Sequence, residues 1–335
     1  MTVTFSTDIR DRLESLLSRF ERTARPGPFA YKWCHHFDGG AHSQHIVFGC
    51  MVHGNEFGSL PAAVRLVEAL NAGELQFGGK VTVFIGNPEA ARENRRYLEA
   101  DLNRVFLKTE HSTHEHARAQ VLMPILDQAD VFIDFHQTIL ETTQPFYIFP
   151  WQKAAWRWAR AIRTTDVWVT RSPQANFSAG AKCSDEYVSE TGRPGITIEL
   201  SEKGFSDQAE RLCWHTITQA MALSDQLANG DAIDQLASRR DDLVFYETTF
   251  GEPFDRPEKS LQPGLVNFQH VKAGDQLNRP GTPMMTVPQD GVVLFPKYPE
   301  REGGIAISPW PREIYRLVSP MQAHPLEKWE PPTEP

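Results

Sequence analysis

A chain of 335 residues, 40% hydrophobic and 23% charged, is long enough for a full core and for more than one domain. Its formal net charge of -9 excludes a broad nucleic-acid or anionic-membrane surface, so any anionic ligand must be met by a local cluster of arginines. No apolar run approaches the ~20 residues of a membrane span, and the four scattered cysteines form no C-x-x-C pair. The protein is therefore expected in the cytoplasm, without a disulfide framework.

The chain opens on "MTVTFSTDIRDRLESLLSRF", an amphipathic helix carrying acids rather than a leader peptide. From there to about residue 235, short β-rich apolar runs alternate with helical patterns. The spacing predicts strands at 45–50, 80–86, 131–135, 145–149, 167–170 and 195–200, with helices at 59–70, 115–126, 152–163 and 207–227. This is an α/β layer structure with a mixed, largely parallel sheet flanked by helices. After about Arg240 the texture changes: 15 of the 24 prolines fall in the last 95 residues, and runs such as "LVFYETTF", "GVVLFPKY" and "EIYRLV" alternate with turns. We expect a catalytic domain over 1–240 and a small all-β domain over 241–335. The stretch "VKAGDQLNRPGTPMMTVPQDGVVLFP" looks like the hairpins of biotinyl or lipoyl carriers, but without a lysine beside Met284 or Met285 only a shape is shared. The final "EKWEPPTEP" reads as a loose tail.

Chemistry concentrates where strands end. In "GCMVHGNEFGSLPAAVRL", His53 and Glu56 stand three residues apart at the turn from strand to helix, where both can face one point. Glycines 54 and 58 are expected to allow the sharp turn; helix capping by His53 is the blander alternative. His136 closes the run "DVFIDFHQT", so it lies with His53 in the crevice at the carboxyl ends of the strands. Two imidazoles and a carboxylate form a His2Glu set with a fourth position open, as in catalytic zinc sites. Asp134, two residues earlier on the same strand side, can orient a ligand histidine. "NPEAARENRRYLEADLNRVF" packs Arg92, Arg95, Arg96 and Arg104 into one stretch, either for an anionic substrate or to balance its own acids. In "RPGITIEL", Glu199 is a lone acid in an apolar strand, where desolvation raises a carboxyl toward the range of a general base. The histidine clusters "CHHFDGGAHSQH" and "EHSTHEHARAQ" could chelate but have no strand end to fix them, and the nucleophile elbow G-x-S-x-G is absent.

The series G-x-x-H-G-N-E, G-N-P-E-A, R-Y-L-E-A-D-L-N-R, D-F-H-Q-T, F-Y-I-F-P and T-I-E-L, in this order, resembles the succinylglutamate desuccinylase and aspartoacylase family of zinc hydrolases related to metallocarboxypeptidases. The resemblance implies that His53, Glu56 and His136 hold one zinc ion per chain and that Glu199 activates water. It further implies that Arg96 polarises the scissile carbonyl while Asn103 and Arg104 grip a substrate carboxylate. Two positions depart from the pattern. Where the desuccinylases read H-T-A-I-R, this chain ends in Leu140, and the arginine that aspartoacylases carry before their T-I-E-L-like strand is displaced to Arg193. Tyr187 is a candidate hydroxyl contact for the substrate.

The expected activity is zinc-dependent hydrolysis of an amide bond in a small N-acyl amino acid or related amide. The alternatives are a metallocarboxypeptidase acting on short peptides and a catalytically silent homologue that binds a metabolite. The expected partner is a small anionic molecule, with no nucleic acid or membrane, and a homo-oligomer is left open. With Leu140 in place of an arginine, the substrate's second arm is expected to be neutral or apolar.

Overall fold

The computed structural model describes residues 5–107, 113–150, 152–171, 181–237, 244–307 and 310–321. In chain order the elements are α1 (Thr7–Thr23), β1 (Cys34–Asp38), β2 (His45–Cys50), α2 (Leu60–Ala72), β3 (Lys80–Ile85), α3 (Pro88–Arg92), α4 (His114–Leu126) and β4 (Val131–Thr138). There follow β5 (Phe146–Pro150), α5 (Lys153–Ile162), β6 (Val167–Arg171), α6 (Ser184–Ser189), β7 (Gly195–Glu202), α7 (Asp207–Ala228) and α8 (Ile233–Ala237). The C-terminal part contributes β8 (Val244–Pro253), β9 (His270–Val271), β10 (Gly291–Leu294), β11 (Arg301–Glu302), β12 (Ile305–Ala306) and β13 (Glu313–Pro320).

Local chemistry explains the helices. Ser6 caps α1 by accepting from the Ile9 amide, and Leu13, Leu16, Leu17 and Phe20 form its buried stripe at helical spacing. In α2, Pro61 sits in the first turn, and Gly73 ends the helix at φ 71°, a conformation that only glycine adopts without cost. Strands β2, β3, β4 and β7 run parallel at the centre and are buried almost throughout, as strands covered on both faces must be. Phe48 and Phe135 stack between β2 and β4, each burial contributing roughly 1.5–3 kcal/mol.

Six elements, β1, α3, α6, α8, β11 and β12, have no counterpart in the sequence reading. Strand β1 pairs antiparallel with β3, and its "CHHFD" run lacks the apolar alternation that announces a strand. Helices α3 and α6 are only five and six residues long, too short for periodicity to reveal. Strand β4 runs to Thr138 because it continues to pair with β7 beyond the apolar run.

A single sheet in the order β1-β3-β2-β4-β7-β5-β6-β8-β13-β10-β9 passes from the α/β layers into the C-terminal strands. Strand β8 is the link, parallel to β6 on one side and antiparallel to β13 on the other. Residues after Phe254 build a separate core that includes Val293, Ile314 and Tyr315. A third cluster joins Phe146 and Val169 to Phe268, Leu294 and Val318. No helix follows Ala237 among the described residues, and none of their helices is long and apolar enough to cross a membrane. The expected boundary at 240/241 and the expected tail at 327–335 lie outside the described residues.

Candidate active site

Strand β2 delivers His53 and Glu56 by a strained turn. Met51, immediately after the strand, takes φ 54°, and the Glu56 amide closes the turn on the His53 carbonyl at 3.1 Å. The two glycines serve close packing rather than the turn, which corrects the sequence expectation. A Cβ on Gly54 would stand 2.5 Å from the Ala91 nitrogen, and one on Gly58 would stand 2.5 Å from Gln137 Nε2.

His53, Glu56 and His136 converge, all buried, with one donor atom from each lying within 4.8 Å of the others. Glu56 Oε1 is 2.9 Å from His53 Nδ1, Glu56 Oε2 is 2.9 Å from His136 Nδ1, and the two Nδ1 atoms are 3.0 Å apart. The outer nitrogens are engaged by carboxylates. His53 Nε2 is 3.1 Å from Asp101 Oδ1, and His136 Nε2 is 2.9 Å from Asp134 Oδ2. When both rings are neutral with the proton at Nε2, both Nδ1 lone pairs point at the carboxylate of Glu56. Three electron-rich atoms at one buried point fit a cation, and the carboxylate-histidine arrangement behind them is the usual support of a metal ligand. Burial disfavours a charge on His136, yet Asp134 and Glu56 outweigh it and hold the imidazole well above its ordinary value. Burial likewise would raise Glu56, but His53 and His136 hold it well below the usual carboxylate range.

A second wall comes from the loop between α3 and α4. Glu115, fully buried on α4, accepts from the amides of Leu98, Glu99 and Ala100 at 2.7, 3.1 and 3.0 Å and from Asn87 Nδ2 at 3.0 Å. That clamp fixes the segment carrying Arg96, Asp101, Asn103 and Arg104. Arg96 donates through Nε to Asp101 at 3.0 Å and through Nη1 to Glu56 at 3.1 Å. Asn103 Oδ1 accepts from the Ser184 amide, while the Ser184 hydroxyl donates to Asp134 Oδ2, and Asn103 Nδ2 remains as a donor 3.4 Å from His136 Nε2. Arg104 donates to the Asn103 carbonyl and lies 3.3 Å from Cys183 Sγ, with no ion-pair partner among the described residues.

Glu199 on β7 stands directly opposite His136 on β4. It is buried, and its Oε2 has no hydrogen-bond partner. Burial first, then the nearby charge of Glu56, push its carboxyl up to about 8 against the pull of His136 and Arg96. His53, Glu56, Arg96, Asp101, Asn103, Arg104, His136 and Glu199 line a pocket of about 920 Å³ whose other side is built from residues 295–300, 307, 310–313 and 316. Leu140 lines it too, with Lys297 on the C-terminal side.

Other expected site residues are placed elsewhere. Tyr187 does not reach the pocket: α6 turns its hydroxyl to Asp127 Oδ1 at 2.7 Å and presents Cys183 and Asp185 to the pocket instead. Arg193 donates to the carbonyls of Leu126, Asp127 and Ala129, closing the end of α4. His35 accepts from the Arg25 amide, His36 and His45 meet Thr82, His45 also meets the Gln128 carbonyl, His114 and His116 sit at the start of α4, and His111 lies outside the described residues. None of these joins a metal-ligating group among the described residues. Asp101, read in the sequence as charge balance, and Glu115 and Lys297 were not anticipated. Only the position of Asp101 two residues before Asn103 offered a signal.

Comparison with known proteins follows the same outline. The profile of the succinylglutamate desuccinylase/aspartoacylase catalytic domain matches residues 43–228. The succinylglutamate desuccinylase of Yersinia pestis is 32% identical over 256 residues, covering 71% of this chain and 74% of that one. That of Yersinia enterocolitica is 40% identical over 86 residues, covering 25% of this chain and 26% of its own length. The X-ray structure of the Vibrio parahaemolyticus succinylglutamate desuccinylase superposes with a TM-score of 0.62 at 15% identity, over 87% of both chains, and so shares the fold.

Proposed function

The chain belongs to the succinylglutamate desuccinylase/aspartoacylase family, and on that premise we propose that it is a zinc-dependent hydrolase cleaving the amide bond of a small N-acyl amino acid or related amide. The observation that carries this reading is the convergence of His53, Glu56 and His136 beside a buried Glu199 with an unpartnered oxygen. The three ligands would hold one zinc ion per chain. A zinc ion there supplies Lewis acidity, making water acidic enough to attack at neutral pH and drawing charge from a carbonyl oxygen.

The protein's own groups do the rest. Glu199 takes the proton of the attacking water through Oε2 and delivers it to the leaving nitrogen. Its burial keeps its proton affinity high enough for both transfers. Arg96, anchored through Nε and Nη1, keeps Nη2 for the developing oxyanion. Asn103 Nδ2 and the Arg104 guanidinium hold a substrate carboxylate by charge-assisted hydrogen bonds. In this reading residues 1–240 are the catalytic domain and 241–335 a β-domain that walls the pocket, and the enzyme works in the cytoplasm.

The test is a hydrolysis panel of N-acyl amino acids and dipeptides with zinc supplied and metal content measured in parallel. N-acyl amino acids are expected to turn over with one zinc per chain. Preference for dipeptides would make the protein a carboxypeptidase, and binding without turnover would make it a silent homologue.

A further inference from the structure

The sequence expectation of an uncharged second substrate arm weighed position 140 alone. The pocket has another wall. Beyond β10 the chain leaves the sheet at Phe295, a non-glycine residue at φ 51°. Such a conformation is costly for a bulky side chain and persists only where surrounding contacts enforce it. Here one buried asparagine enforces it. Asn267 Oδ1 accepts from the Phe295 amide at 2.7 Å, while its Nδ2 donates to the carbonyls of Leu140 and Glu141 at 3.2 and 3.0 Å. The segment carrying Lys297 is thus fastened to the same backbone that carries Leu140.

Lys297 lines the pocket with its side chain about a quarter exposed. Its ammonium donates to the Glu313 carbonyl at 3.0 Å and lies 3.4 Å from Glu313 Oε1. That distance is long for an ion pair, because the same carboxylate oxygen already accepts from Arg316 Nε. One carboxylate oxygen is shared between two cations, so Glu313 is not given to the Lys297 ammonium alone. Among the described residues no other acceptor meets the third N–H of Lys297. Burial brings the ammonium down to about 8, because the attraction of Glu313, although larger than the repulsion of Arg316 and Arg96, does not make up for the lost hydration. An incoming anion would offset that loss.

We propose that Lys297 is a specificity-determining residue: supplied from the C-terminal wall in place of a cation at position 140, it receives a second anionic group of the substrate, opposite the carboxylate held by Asn103 and Arg104. The proposal rests on the deacylase reading for the identity of the site, but its test separates the two. The matched compounds are N-acylglutamate and the nearly isosteric N-acylglutamine, each as acetyl and succinyl derivatives. Kinetics are measured on zinc-loaded wild type, Lys297→Met and Lys297→Arg, and Kd by calorimetry on the same proteins carrying Glu199→Gln to suppress turnover.

For at least one acyl group, wild type is expected to favour the glutamate compound about tenfold or more. Lys297→Met should lose that preference through KM and Kd while changing the glutamine compound less than about twofold, and Lys297→Arg should restore most of it. Equal losses on both compounds in Lys297→Met, or no glutamate preference in wild type with either acyl group, would overturn the proposal. A glutamate preference in Kd without turnover would retain Lys297 and remove the deacylase reading. Turnover without preference would do the reverse.

Discussion

Replacing Asp101 or Asp134 by asparagine separates the two outer supports of the His53, Glu56 and His136 cluster. At position 134 both donors, His136 Nε2 and Ser184 Oγ, meet Oδ2, while Oδ1 has no partner. An asparagine can keep its oxygen toward both donors and put its NH2 where nothing was bonded, so geometry survives and only the charge behind His136 is lost. At position 101 each oxygen is used: Oδ1 by His53 Nε2 and the Asn103 amide, Oδ2 by Arg96 Nε. In Asp101→Asn, one orientation of the new amide would therefore oppose Arg96 with an N–H, and the other would oppose His53. Loss of such a carboxylate typically lowers metal affinity 10- to 100-fold, or about 1.4 to 2.7 kcal/mol. Both variants should fall in that range by competition with a chromophoric chelator. Only Asp101→Asn should also lose kcat at saturating zinc, because Arg96 is released from one of its two anchors. A zinc Kd for Asp101→Asn within twofold of wild type would refute the support role, and equal kcat in the two variants would refute the coupling to Arg96.

Glu199→Gln should keep zinc and fold but lose about 10²- to 10⁴-fold in kcat, and retention of half the wild-type kcat on a confirmed substrate would remove Glu199 as the base. Glu115→Ala deletes an acceptor of three loop amides and should lower stability by about 3 kcal/mol, read as a denaturant midpoint shift at unchanged slope. His35 and His45 are held neutral, mainly by burial, at about 4 against an ordinary 6.5, so the unfolded chain takes up protons first as pH falls. Stability should therefore be full above pH 6.5 and fall toward pH 4 by up to ~1.4 kcal/mol per pH unit per histidine. A His35→Gln/His45→Gln variant whose stability falls as steeply as wild type would refute that origin.

The convergence of His53, Glu56 and His136 was legible because these residues sit at the ends of apolar strands, where position along the chain nearly determines position in space. His53, His136 and Glu199 each follow or lie in such a run, and parallel pairing of β2, β4 and β7 aligns them. Tyr187 failed for a local reason. Helix α6 was invisible, and in its turn Tyr187 faces α4 while Cys183 and Asp185 face the pocket. Strand β1 failed because His35 and His36 are polar by composition yet packed by partners, the Arg25 amide and Thr82, that lie elsewhere in the chain.

Lys297 illustrates a different limit. Nothing in "GVVLFPKYP" distinguishes that lysine from a solvated one, because its meaning depends on three facts that no motif records together. Phe295 must take a left-handed backbone, Asn267 must tie it to Leu140, and Arg316 must already occupy the carboxylate that would otherwise neutralise the ammonium. The chain's departure at position 140 and the cation on the facing wall can then be one adaptation, since a charge moved from one side of a pocket to the other still meets the same substrate group. Asn267 is the side chain that ties those two walls together. Asn267→Ala would free Phe295 from its strained conformation, and any selectivity carried by Lys297 would be lost with it although Lys297 itself remained.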